Sequence, residues 1–272
     1  MNRINSQALA GKIALVVGAS RGIGAAIAAA FAEAGAEAGA AVVLAARDQA
    51  ALALRVAEIE AAGGKALALP VDVRDEAAVV GLLDQVRNRY GRLDAAVNNF
   101  AGGGRPPAPL ADWDSAEFDS ALAVDLRGVF LALKYELRLM QLNPDGGAIV
   151  NMSSTAGEQG VSGLAGYVAS KFGVGGLTRV AALDYAAAGI RVNAIAPGPI
   201  LTDHLAAAGP RAQQMAAAAV PLGRVGRVED VAEAAVWLCT EQSSFVTGAV
   251  LVVDGGRLAG VPAFAVNPVR KG

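Results

Sequence analysis

Tyr167 and Lys171 lie four residues apart in Gly166-Tyr167-Val168-Ala169-Ser170-Lys171, and Ser154 precedes the tyrosine by thirteen residues. Residues i and i+4 share one face of a helix, so this spacing sends a phenol and an ammonium into the same space. A cation beside a phenol favours the phenolate and lowers a pKa that is ordinarily about 10. A tyrosine tuned in this way can give and take a proton near neutral pH. A hydroxyl from a separate segment, here Ser154, would orient a substrate oxygen against it. The chemistry implied is proton transfer to or from an oxygen. An exposed helical pair is the plainer alternative, because Tyr-x-x-x-Lys recurs by chance, and the surrounding chain has to decide between them.

A second reactant is suggested near the amino terminus. Gly18-Ala19-Ser20-Arg21-Gly22-Ile23-Gly24 follows the apolar run 13–17 and opens a helical stretch. Glycines let backbone approach a pyrophosphate closely, and a helix start offers free N–H groups and the positive end of its dipole. The spacing is Gly-x-x-x-Gly-x-Gly, not the Gly-x-Gly-x-x-Gly of the larger dinucleotide-binding dehydrogenases. Its place directly after a buried strand favours nucleotide binding.

The elements that must position these groups alternate. Apolar strand-length runs fall at 13–17, 42–45, 66–70, 93–97, 148–152, 191–196 and 250–253. Helix-length segments lie between them at 25–34, 50–62, 76–90, 115–141, 163–188 and 228–240. Strands of this kind separated by helices imply a parallel sheet covered on both faces, with ligands outside the carboxyl ends of the strands. With no proline-rich linker, residues 1–272 are expected to form one α/β domain. A tandem copy, Glu33-Ala34-Gly35-Ala36 then Glu37-Ala38-Gly39-Ala40, is expected to be a tolerated surface insertion.

Composition narrows the function classes. Charged residues make up 18% of the 272, the formal net charge is −2, and hydrophobic residues reach 54%. This balance argues against a nucleic-acid surface or a polybasic membrane anchor. Apolar stretches are repeatedly broken by charge, Gly or Pro, so no membrane span is expected, and residues 1–10 lack the apolar core of a secretory signal. The single cysteine, Cys239, rules out an intrachain disulfide framework and is expected to be a core residue. No metal-ligand cluster is apparent. A cytoplasmic protein follows by default.

Several motifs in order resemble the short-chain dehydrogenase/reductase family from about Leu9 to Gly256: Gly18 to Gly24, Asp72-Val73, Asn98-Asn99, Ser154, Tyr167-x-x-x-Lys171, and Pro197-Gly198 with Thr202. The resemblance implies a Rossmann-like, doubly wound sheet of seven parallel strands with helices on both faces. It also implies a nicotinamide cofactor, reversible hydride transfer, and a homotetramer or homodimer. Its cofactor contacts would fall on Gly18, Ser20, Arg21, Gly22, Ile23, Gly24, Asp72, Val73, Asn99, Pro197, Gly198, Ile200 and Thr202, together with Tyr167 and Lys171. For Asp72 a cap opening the next helix is an alternative compatible with an adenine contact. At the end of the second strand Ala46 stands where an acidic residue would hold the ribose of NAD. Arg47 beside it and Arg21 in the glycine turn suit a 2′-phosphate, so NADP(H) is expected, with NAD possible. Two exposed arginines are the alternative.

By the same resemblance Tyr167 is the general acid/base, Lys171 binds the nicotinamide ribose and lowers the tyrosine's pKa, and Ser154 holds the substrate oxygen; Ser153 aligns one residue too early. Two departures stand out. The usual asparagine of the long middle helix is Asp125, in Ala123-Val124-Asp125-Leu126-Arg127-Gly128. An ionised carboxylate accepts hydrogen bonds only, would stabilise Lys171, and would partly cancel its field at Tyr167. Asn98-Asn99-Phe100-Ala101-Gly102 carries one residue more than the common Asn-Asn-Ala-Gly. Relatives that reduce enoyl- or dienoyl-CoA share such features but often lack the tyrosine, so ketone–alcohol interconversion is favoured over that alternative. A catalytically silent nucleotide-binding scaffold is the non-enzyme alternative. Specificity is expected from residues 103–110, 158–163 and a substrate loop or lid at about 195–222. His204, the one histidine, is expected in a solvent-facing loop with substrate contact as the alternative. The tail 257–272 would cover a neighbouring subunit or stay disordered.

Overall fold

A computed structural model of the chain describes residues 9–35, 40–102 and 106–260. Seven strands form its sheet: β1 (Ile13–Val17), β2 (Ala41–Ala46), β3 (Ala66–Pro70), β4 (Ala95–Asn98), β5 (Gly147–Met152), β6 (Ile190–Pro197) and β7 (Val250–Val253). All are parallel, in the order β3-β2-β1-β4-β5-β6-β7. The expected seven-stranded α/β sheet is what the chain forms. The order reverses between β1 and β4, which opens a crevice at their carboxyl ends.

Both faces of this sheet are covered, and the strand sequences say why. Ile13, Leu15 and Val17 of β1 enter a core with Val43, Leu82, Val86, Leu133, Ile149 and Val192. Ala14 and Val16 point the other way, into Ile27, Phe31, Leu52, Val150, Ile195 and Leu238. A strand buried on both sides has no polar positions to spare, hence the unbroken apolar runs.

The helices are α1 (Gly22–Gly35), α2 (Gln49–Ala61), α3 (Glu76–Tyr90), α4 (Ser115–Leu122), α5 (Val129–Met140), α6 (Ala165–Tyr185), α7 (Asp203–Ala207), α8 (Gly209–Ala218) and α9 (Val228–Leu238). Their starts are written in the sequence. Asp48, Asp75 and Asp114 accept from Ala51 N, Ala77 N and Ala116 N at the openings of α2, α3 and α4. Each such cap is worth about 1 kcal/mol. Thus Asp75, not Asp72, opens α3, and the capping alternative for Asp72 is excluded.

Other boundaries differ from expectation. The first helix begins at Gly22 rather than residue 25, so the last glycines of the turn are already helical. Residues 115–141 do not form one uniform helix: between α4 and α5, Ala123–Gly128 forms a π-helical turn, wider by one residue than an α turn. His204 lies exposed on the short helix α7 rather than in a loop. Cys239 is buried behind α9, as expected, and burial pushes its thiol up to about 12. Much of the tandem copy falls on residues 36–39, outside the described residues, as do 103–105 of one substrate segment and 261–272 of the tail. Among the described residues no helix is long and apolar enough to cross a membrane.

Candidate active site

The glycine turn is tight because other backbone presses on it. Gly18 has φ +87°, and a Cβ there would overlap Asn99 O and lie 2.6 Å from Asn99 C. A Cβ on Gly24 would overlap Gly18 O and lie 2.7 Å from Asn99 Nδ2. Asn99 itself is fixed by its N–H donating to Val17 O at 2.8 Å and by Nδ2 reaching Gly18 O at 3.4 Å. Three segments therefore share one narrow place at the carboxyl ends of β1 and β4, where the amino terminus of α1 opens. Ser20 and Ile23 are half-buried there and Arg21 is exposed. This glycine cradle suits a pyrophosphate, since backbone can approach it and free N–H groups face it.

Other expected nucleotide residues gather round the same edge. Thr202 Cγ2 would lie 3.7 Å from a Cβ on Gly22, so the segment after β6 reaches the turn. Ile200 is buried, bridged to Gly226, and Gly198 donates to Val253 O at 2.9 Å after Pro197 ends β6. Asp72 makes a forked pair with Arg74, whose Nη2 stands 2.5 Å from Oδ2. That guanidinium, with a smaller contribution from Arg47, holds the Asp72 carboxyl down at about 2. Arg47 and Asp72 are thus electrostatic neighbours at the ends of β2 and β3. Among the described residues neither Arg21 nor Arg47 is committed to an ion pair, and both are exposed. Val73 is buried, its side chain against the glycine face of Gly128.

Ser154, Tyr167, Lys171 and Asp125 come together. Ser154 follows β5, and its Oγ accepts from Ala156 N at 3.1 Å. Tyr167 and Lys171 lie on one face of the first turns of α6, with Lys171 Nζ 5.5 Å from the centroid of the Tyr167 ring. Lys171 is 2% exposed, and its Nζ donates to Met152 O at 2.9 Å. Ser153, the neighbour that aligned too early, points elsewhere: its Oγ donates to Lys171 O at 3.2 Å and braces the helix. Asp125 sits in the π-helical turn, 2% exposed, and its Oδ1 accepts a short hydrogen bond from Gly102 N. The carboxylate thereby clips the lengthened 98–102 loop to the middle helix.

Electrostatics corrects one expectation. Lys171 was expected to draw Tyr167 below its ordinary pKa. Instead burial pushes the phenol up, the Ser154 hydroxyl pulls it back, and the Asp125 carboxylate adds to the upward push. The reason lies with the neighbours of the lysine. Burial pulls Lys171 down while Asp125 pushes it up, so the ammonium is coupled to the carboxylate. Asp125 is itself raised by burial, against the pull of Lys171 and the Gly102 N–H.

Two contributors escaped the sequence reading. The Met152 carbonyl that holds Lys171 is backbone and leaves no side-chain signal. Trp113 straps the 106–113 segment to the start of α6: its Nε1 donates to Ala108 O at 3.1 Å and to Gly163 O at 3.3 Å. Its ring lies where a Cβ on Gly166 would be, 3.1 Å from an edge carbon. A glycine one residue before the tyrosine was the available sign.

Comparison with known proteins agrees with this geometry. A family profile described as "Enoyl-(Acyl carrier protein) reductase" matches residues 18–257. An A-factor type gamma-butyrolactone 1'-reductase (1S-forming) from Streptomyces virginiae is 44% identical over 252 residues, covering 91% of this chain and 96% of its own. A cis-4-hydroxycyclohexanecarboxylate dehydrogenase from Sinomonas cyclohexanicum is 44% identical over 253 residues, covering 93% and 99%. A crystal structure of a candidate 2-deoxy-D-gluconate 3-dehydrogenase from Agrobacterium tumefaciens, with bound NADP, superposes with a TM-score of 0.83 at 35% identity, covering 96% of this chain and 100% of that one.

Proposed function

Because the chain belongs to the short-chain dehydrogenase/reductase family and is an oxidoreductase acting on CH–OH groups, we propose that it interconverts a ketone and a secondary alcohol with NADP(H), Tyr167 serving as general acid/base. The observation that carries this reading is the convergence of Ser154, Tyr167, Lys171 and Asp125 beside the glycine turn. A bound nicotinamide supplies or accepts the hydride. The chain's own residues handle the proton. Ser154 Oγ donates to the substrate oxygen and lines it up with the Tyr167 hydroxyl. Tyr167 protonates the alkoxide that develops during reduction, and takes the proton back in the other direction. A phenol held mostly neutral by burial is well suited to donating. Lys171, anchored by Met152 O, holds the ribose, and Asp125 keeps the ammonium charged.

The NADP reading rests on Ala46 in place of an acid and on Arg47 and Arg21 standing exposed with no ion-pair partner among the described residues; the NADP-bound relative lends it support. Each charge-assisted contact to a 2′-phosphate is worth about 1.5–3 kcal/mol, roughly 10- to 100-fold in affinity. R47A should therefore weaken NADPH binding by about that factor and leave NADH within about twofold. Equal efficiency of the wild type with both cofactors would overturn the preference.

The segment 195–222, which carries α7 and α8, is the proposed substrate lid. Leu201, Met215 and Leu222 are exposed on it, and Leu110 on the 106–113 segment, which favours a substrate with an apolar body. Phe130, Phe172, Val180 and Leu183 leave an apolar outer face on α5 and α6, which supports a homodimer or homotetramer, to be read by light scattering.

The direct test is a panel of ketones with NADPH, and alcohols with NADP⁺, using Y167F as control. Reduction should fall by about 10²–10⁴-fold in Y167F while nucleotide still binds. The lengthened 98–102 loop and the profile's description favour testing crotonyl- and dienoyl-CoA in parallel. Reduction of those thioesters alone would replace the ketone reading. Nucleotide binding with no turnover would mark a silent scaffold.

A further inference from the structure

Glu136 is fully buried on α5, a helix that otherwise turns its charges outward. Its Oε2 accepts from Asn98 Nδ2 at 2.9 Å. The same amino group reaches Asn151 Oδ1 at 3.1 Å, Asn151 Nδ2 donates to Thr178 Oγ1 at 3.0 Å, and Thr178 Oγ1 donates to Val174 O at 2.8 Å. Among the described residues two buried side-chain polar atoms have no partner: Asn98 Oδ1 and Glu136 Oε1. One belongs to each member of the Asn98–Glu136 contact. A carboxylate has only acceptors and cannot serve the Asn98 carbonyl; a protonated carboxyl group has one O–H and can serve it.

Among the described residues no cation pairs with the carboxylate. β4 and β5 carry no ionisable side chain. On α5 itself Lys134 Nζ is 2.7 Å from Glu76 Oε1, and Arg138 lies over the Tyr135 ring. On α3, Glu76 is held by Lys134 and Tyr135, while Asp84, Arg87 and Arg89 are exposed. On α6, Lys171 is turned to Met152 O and Asp125, and Arg179 and Asp184 are exposed. Burial accordingly pushes Glu136 up to about 7, opposed only by the Asn98 donation.

The location gives this cluster a lever on the site. Asn98 and Asn151 are register partners at the carboxyl ends of β4 and β5. One residue beyond Asn98 comes Asn99, whose backbone presses on Gly18; one residue beyond Asn151 comes Met152, whose carbonyl holds Lys171. We propose that Glu136 is a positioning residue carried as a neutral acid, whose proton closes an amide–acid pair with Asn98 and so fixes the backbone bordering the nucleotide turn and the active-site lysine. Loss of that proton leaves a buried anion and opens half of the pair, so nucleotide affinity falls as pH rises past neutral.

The sign of the stability effect follows. An unfolded glutamate titrates at its ordinary 4.5, the folded one at about 7, so the native state holds the extra proton between these values. The contribution of Glu136 to stability is complete below the lower value and is lost as pH rises to the upper one.

Infrared difference spectra of the nucleotide-free protein give the first test. A protonated-carboxyl carbonyl band should be present near pH 6, fade by about pH 8.5, and be missing from E136Q. Uniform ¹³C-glutamate labelling of the wild type shifts the same band and keeps the test valid if E136Q does not fold. The second test is NADPH titration across the same range. The ratio of wild-type to E136Q Kd should climb severalfold from acid to alkaline pH, the glutamine amide being unable to ionise. Absence of the band, or a band unchanged by labelling and by E136Q, overturns the neutral acid. A band that behaves as stated beside a flat Kd ratio overturns the positioning role. The protonation state is independent of the cofactor reading, so failure of NADPH to bind at any pH would count against that reading alone.

Discussion

Gly18 and Gly63 have nearly the same backbone conformation, φ +87° and +86°, in opposite surroundings. An alanine at either pays about 1–2 kcal/mol for a left-handed conformation. At Gly63, in the turn after α2, nothing lies within 4 Å of the new Cβ, so the cost should stop there. At Gly18 the Cβ overlaps Asn99 O and stands 2.6 Å from Asn99 C and 3.0 Å from Phe100 N. The obstacle is backbone, and it is pinned through Asn99 N to Val17 O at 2.8 Å. Overpacking of this kind adds about 1–3 kcal/mol. At about 2–4 °C per kcal/mol for a chain of this size, G63A should melt roughly 5 °C below wild type and G18A roughly 10 °C below. Fluorescence titration with NADPH should show G63A binding as wild type and G18A more than about tenfold weaker, since the displaced Asn99 peptide borders the cradle. If G18A melts with G63A and binds nucleotide normally, close backbone approach is not what demands glycine at position 18.

Three other outcomes can be checked. In D125N the Gly102 N–H keeps an acceptor but Lys171 and Tyr167 both lose the upward push of the carboxylate, so the limbs of the pH–rate profile set by this pair should move to lower pH; an unmoved or raised profile would refute the coupling. D94A removes the acceptor of Ile13 N at 2.8 Å and the forked partner of Arg92, and should destabilise the protein by about 2–4 kcal/mol by denaturant titration, with D94N falling between it and wild type. Cys239, raised to about 12, should resist iodoacetamide at about pH 8 in the folded protein and react once guanidinium unfolds it; alkylation at equal rates would contradict its burial.

What was legible in the sequence is local or periodic. Tyr167 and Lys171 could be placed on one helix face because four residues make about one turn, and the sheet followed from runs such as Ile13–Val17 whose alternate residues both had to be apolar. The π-helical turn was not legible, because nothing in Ala123–Gly128 before its final glycine breaks an α pattern. Its setting is tertiary: Asp125 takes Gly102 N, and Gly128 closes against Val73 and Phe100. The direction of the Tyr167 shift was misjudged because a charge pair read from spacing carries no account of burial. Glu136 was not singled out by the motifs. It falls in step with Val129, Leu133 and Met140 along the buried stripe of α5, and a carboxyl group in that stripe was the sign available.

The turn at Ala123–Gly128 gears two parts of the molecule that otherwise have separate jobs. Each residue of an ordinary helix advances its face by about 100°, and a π turn is an α turn that has absorbed one residue more. Removing a single residue there would let an ordinary turn close and keep α5 in phase with the sheet, while rotating α4 by about that angle. The Asp114 cap and the Trp113 strap on Ala108 and Gly163 ride on α4, and Asp125 rides on the turn itself. One deletion would thus shift the segment that Trp113 ties to Ala108 and Gly163 and withdraw the carboxylate from Lys171 in the same movement. The placing of Trp113 and that of Asp125 are set together by this one turn, in steps of one residue.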